Sequence, residues 1–132
     1  MSQTPKIMRS QLGRARGLGS AKSGVEHWWV ERITAAALVP LTLWFVISIL
    51  SMLGADQPMV ALWVSHPLNA ALLLALILMT FHHAQLGLQV VYEDYIHAPA
   101  LRTASILATK AAALLLGLMA SLAVIKLFLA AH

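Results

Sequence analysis

The chain has 132 residues, of which 60% are hydrophobic and 11% charged, and it carries a net charge of +4. Its mean hydropathy of +0.79 is far from that of a soluble globular domain. It contains no cysteine, which excludes disulfides, thiolate metal sites and iron–sulfur ligation by this chain. The apolar residues form long runs with room for about three membrane spans and no separate soluble domain.

The first 24 residues are basic and polar. Lys6, Arg9, Arg14, Arg16 and Lys22 crowd this segment, and no acid precedes Glu26. Basic segments of this kind can bind nucleic acid. Beside a span, the ordinary reading is the positive-inside signal, so no nucleic-acid partner is expected. Gly13, Gly17, Gly19 and Gly24 and the lack of an apolar period indicate a flexible cytoplasmic arm. The arm is too long for the basic region of a signal peptide, and a full span follows it. It is therefore expected to be retained.

Residues 25–132 read as a three-helix transmembrane anchor domain, making this an all-α membrane protein. Glu26 to Arg32 enters the membrane, with Trp28 and Trp29 suited to the interfacial aromatic belt. The first span is predicted at about 33–53. Pro40 inside it removes one helical bond, which a bundle tolerates when neighbours satisfy the freed carbonyl. Gly54 to Pro58 reads as a turn, and Met59–Trp63 as a short interfacial helix. Ser65-His66-Pro67 reads as a helix start, with Ser65 or His66 as cap. The second span is predicted at about 67–91, a polar loop at Glu93–Pro99, and the third span at about 106–129. Lys110 and Lys126 can snorkel to opposite interfaces. The basic arm sets the N-terminus in the cytoplasm, and three spans then put the C-terminus in the periplasm.

The segment Phe81 to Tyr95 carries the chemistry. An ionisable side chain within a span is costly, which makes it a functional hypothesis by default. His83 and Asp94 are eleven residues apart. In a regular helix they lie within roughly 20° of one face and roughly 16 Å apart along the axis. Gly87, one turn from His83, lets a planar group or another helix approach. An imidazole at this depth suits axial ligation of haem iron. His82 is roughly 100° around the helix, so both histidines cannot easily address one iron. His66 is roughly 25 Å away on the same helix, and spans one and three offer no histidine at matching depth. A bis-histidine haem would need its second ligand from another chain.

Each residue also has a plainer role. His83 could be an inter-helix hydrogen-bond residue. Asp94-Tyr95 could be a solvated helix end, the commoner case for such a pair taken alone. Arg32 could be a positive-inside anchor, or could form forked bonds to haem propionates. Gln85 and Gln89 could bond between helices. Two other classes stand beside an electron-transfer subunit. One is a structural anchor without cofactor. The other is a transport subunit with a His83–Asp94 relay, for which spans one and three lack acids.

Two blocks of residues carry a family resemblance. One is Glu31-Arg32-Ile33-Thr34-Ala35 running into Leu41-Thr42-Leu43-Trp44. The other is His83-Ala84, Gly87, Gln89-Val90 and Asp94-Tyr95. Over about residues 24–130 the chain resembles the small hydrophobic membrane-anchor subunit of succinate dehydrogenase, respiratory complex II; the basic arm has no clear counterpart. The resemblance implies one half of a two-chain helical anchor in a bacterial inner membrane, with lipid around it. His83 would be an axial ligand, hence the metal ligand, of a haem b shared with a second anchor (cytochrome b) subunit. Arg32 would lie by the haem propionates. Tyr95 would hydrogen-bond ubiquinone, and Asp94 would support an arginine of the other anchor chain. A flavoprotein subunit would oxidise succinate and an iron–sulfur subunit would carry the electrons. The chain would then serve the tricarboxylic acid cycle and respiratory chain with no succinate chemistry of its own. The anchor of a quinol:fumarate reductase is the related alternative.

Overall fold

The computed structural model describes residues 22–130, so the basic arm before Lys22 lies outside the described residues. Four helices follow one another: α1 (Lys22–Ser51), α2 (Gln57–Ser65), α3 (Pro67–Tyr95) and α4 (Pro99–Ala130). No strand occurs among the described residues.

Helices α1, α3 and α4 have 30, 29 and 32 residues. At about 1.5 Å per residue each exceeds the roughly 30 Å hydrocarbon core of a bilayer. All three are long and apolar enough to cross a membrane. With only nine residues, α2 cannot cross. It fills the corner between α1 and α3, where the short interfacial helix was expected.

The corner has local causes. Gly54 adopts φ +85°, a left-handed conformation that side chains with a Cβ rarely take. Asp56 caps α2, its Oδ1 accepting from the Met59 amide at 3.1 Å. Between α2 and α3 the cap position is His66 rather than Ser65, and the His66 side chain makes no capping bond. Ser65 belongs to α2 and donates to the Leu62 carbonyl at 2.7 Å. Asn69 Nδ2 donates to the Trp63 carbonyl at 2.8 Å, tying the start of α3 to the end of α2.

Several boundaries differ from the expected ones: α2 takes in Gln57–Pro58, read as turn, and α4 begins at Pro99 rather than near residue 106. α1 begins about ten residues before the expected span, because Gly24–Arg32 continues the helix through the interfacial residues. α3 runs to Tyr95, so the loop shrinks to Ile96–Ala98, and Arg102 lies inside α4. Hydropathy marks where a helix leaves hydrocarbon, whereas hydrogen bonding carries it on into the polar layer. Pro40 lies inside α1 without ending it.

α3 is the central helix, packed on both α1 and α4. The buried core sits at the α2 end: Val64, Ala70, Leu73 and Val124, with half-buried Trp44, Phe45, Trp63 and Phe128 against it. Trp44 of α1 stacks on Trp63 of α2 with centroids 5.7 Å apart.

Candidate functional site

Toward the other end of the bundle, α1 and α3 meet through polar groups. Thr34 Oγ1 lies 3.0 Å from His83 Nδ1. Counted from the helix ends, the two residues are at the same level: twelve residues from Lys22 to Thr34, twelve from His83 to Tyr95. Thr34 is 5% exposed, one of the few buried polar residues. Its oxygen also lies 2.9 Å from the Val30 carbonyl and 3.0 Å from the Glu31 carbonyl. The plainer role foreseen for His83, bonding between helices, is therefore real. It occupies only Nδ1; Nε2 makes no hydrogen bond among the described residues. The face one turn further on is open, since a Cβ added at Gly87 would meet nothing within 4 Å.

His82 has different surroundings. It lines a groove of about 210 Å³ between α3 and α4, with Phe81, Gln85, Lys110 and Gly117 among its walls. Adjacent positions on a helix point roughly 100° apart, and here that separates one histidine toward α1 from another toward α4.

Asp94 and Tyr95 form the last turn of α3. Both are exposed, Tyr95 at 77%. The Ile96 amide donates to the Tyr92 carbonyl and closes the helix there. Gln89 Nε2 donates to Glu93 Oε1 at 2.8 Å, so Gln89 bonds within α3 and not between helices. Arg32 is exposed, its guanidinium carbon 5.6 Å from the centre of the Trp28 ring. It lies two residues from Thr34, roughly 160° around α1, so it does not share the face turned to His83. The fold thus brings Thr34 and His83 together, aligns Asp94-Tyr95 on the same helix, and leaves Arg32 apart.

Sequence reasoning missed three residues. Thr34 stood in a quoted block, but a span starting at residue 33 put it at the membrane edge, well above His83. Thr109 Oγ1 donates to the Tyr92 hydroxyl at 3.0 Å, joining α4 to α3 near the Tyr95 end. Tyr92 lies three residues before the end of α3 and Thr109 ten residues into α4, so no matched spacing in the sequence signalled that pair.

His83 meets the donor requirement of an axial haem ligand: a second ring nitrogen without a partner beside an open face. Among the described residues no three His, Cys, Asp or Glu side chains gather to hold a metal ion. A single imidazole would hold such a group from one side only.

Fold and site together define a multi-pass helical membrane protein carrying an ionisable face. Residues 6–125 match the family described as succinate dehydrogenase/fumarate reductase transmembrane subunit. A succinate dehydrogenase hydrophobic membrane anchor subunit of Rickettsia bellii is 39% identical over 77% of this chain and 82% of its own length. The protein of the same name from Rickettsia conorii is 34% identical over 75% and 79%. That of Paracoccus denitrificans is 30% identical over 61% and 63%. No solved structure matches. The chain belongs to the succinate dehydrogenase/fumarate reductase transmembrane subunit family, as a hydrophobic membrane anchor. The match starts at residue 6, so it takes in most of the basic arm that the quoted residues left without a counterpart.

Proposed function

We propose that the chain holds one side of a haem b through His83 Nε2 and forms part of a ubiquinone-reduction site with Asp94 and Tyr95. It does so within a succinate dehydrogenase whose flavoprotein and iron–sulfur subunits oxidise succinate and deliver electrons. The observation that carries this reading is the His83 ring: Nδ1 is engaged by Thr34, and Nε2 is left for a ligand. Bound haem supplies a one-electron store beside the quinone. A second anchor chain would hold the haem from its other side and complete the quinone site, in keeping with the exposed faces of α1 and α4. The similar proteins named as succinate dehydrogenase anchors favour succinate oxidation over fumarate reduction.

At the quinone, the chemistry is transfer of two electrons and two protons to give the quinol. Tyr95 contributes a neutral hydroxyl donor at the end of α3. It polarises the quinone carbonyl without the desolvation cost of a charge. Asp94 orients a cationic partner of the second chain. Arg32, on a flexible side chain near the same end, offers a forked donor to haem propionates. The N-terminus and the Ile96–Ala98 loop face the cytoplasm of a bacterium, and the α2 corner faces the periplasm across the inner membrane.

Electron paramagnetic resonance of the purified complex tests the ligand. His83→Leu should abolish or markedly shift the low-spin haem signal, while His82→Leu should leave a bis-imidazole spectrum. Loss of the signal with His82→Leu alone would refute the assignment.

A further inference from the structure

The contact between α1 and α3 has a chemical direction. A threonine hydroxyl has one proton and an oxygen that also accepts. Thr34 Oγ1 lies within 2.9 Å of the Val30 carbonyl and 3.0 Å of the Glu31 carbonyl. Carbonyls only accept, so the hydroxyl proton turns back along α1 toward them, the usual habit of threonine inside a helix. What Thr34 presents to α3 is then an acceptor. The imidazole nitrogen 3.0 Å away must carry the hydrogen. Burial of Thr34 to 5% exposure keeps water from replacing this partner. β-branching and the back-bond together hold Thr34 in one rotamer.

We propose that Thr34 is the positioning residue of His83: its oxygen accepts the Nδ1–H, fixes the tautomer with its free electron pair on Nε2, and sets the plane of the ring. This rests on the reading that His83 ligates haem. A hydrogen bond taken from the far nitrogen of a ligating imidazole makes the near nitrogen more basic and orients the ring. Hydrogen bonding around the axial ligand is one lever on haem potential. A more basic imidazole favours the ferric state, so Thr34 holds the haem potential down. The functional consequence is a division of labour across the helix pair. α3 provides the ligand, and α1 determines its protonation and angle.

The test uses the assembled complex with Thr34→Val, Thr34→Ala and Thr34→Ser, alongside His83→Leu. Potentiometric titration and electron paramagnetic resonance are the readouts. Thr34→Val keeps the branched shape and removes the acceptor. It should raise the haem midpoint potential and shift the largest g-value, and Thr34→Ser should restore both toward the wild-type values. Should the valine variant fail to assemble, the serine and alanine variants decide. Serine resembling wild type with alanine shifted supports the proposal. Equal values for serine and alanine overturn it. Wild-type potential and g-values in Thr34→Val, with the signal lost in His83→Leu, overturn the role of Thr34 and leave the haem reading standing. An unchanged signal in His83→Leu overturns the haem reading and the proposal with it.

Discussion

The two ends of this bundle are built on different principles. At the α2 end, four helices converge on a small apolar core, and Trp44 stacks on Trp63. At the Tyr95 end the described contacts include two inter-helix hydrogen bonds, Thr34 to His83 and Thr109 to Tyr92. Side chains around them stay open, among them Trp28 at 49%, Trp29 at 55% and Tyr95 at 77% exposure. Apolar packing tolerates repacking and gives cohesion. Directed hydrogen bonds between spans set the register of specific atoms, and a polar group left unmatched in hydrocarbon is costly. One end of the bundle holds the helices together, and the other fixes particular polar atoms against each other.

The comparison makes testable claims, beginning with the largest effect. The two ends should lie on opposite sides of the membrane. A reporter inserted in the Ile96–Ala98 loop should read as cytoplasmic, and one at Gly54-Ala55 as periplasmic, an all-or-none difference. The same signal from both sites would break the three-span arrangement. Next comes Tyr95→Phe, which removes a donor from the open end and disturbs no described contact of the closed one. Succinate-driven ubiquinone reduction should fall about tenfold, the rate equivalent of one lost hydrogen bond. Electron delivery to a soluble dye upstream and the haem spectrum should not change. Equal loss of both activities would point to failed assembly.

The smallest effect belongs to Trp63→Ala at the closed end. Trp63 is half-buried, so the loss should stay below the roughly 3–5 kcal/mol of a fully buried tryptophan. The complex should melt at a lower temperature with its haem spectrum intact. A changed spectrum in this variant would show that the two ends are coupled through α3, and the division drawn above would have to be given up.

The spans were legible because a hydrocarbon environment imposes a simple demand: about twenty apolar residues in a row, every backbone group bonded within its own helix. The short α2 helix was legible from the brief apolar run Met59–Trp63, but its start was not, because Gln57 and Pro58 read as turn. The ends of α1 and α3 were not. Hydropathy falls at Arg32 and Glu93, yet the helical hydrogen bonds continue across the interfacial residues on both sides. That shift of about ten residues at the start of α1 hid the most informative contact in the protein.

Sequence alone determined that the chain is a three-span helical anchor, that His83 lies at depth on the face shared with Asp94, and that the residues around it match one family. The spans and the shared face follow from composition, helical period and spacing, properties of a single helix read along its length; the family is a likeness of particular residues. Only the tertiary structure decided which helix each histidine faces. It also decided that Thr34 meets His83 Nδ1. Such pairings depend on how two helices are rotated and shifted against each other. That rotation is set by packing of the whole bundle around α3, which no local pattern in the chain encodes.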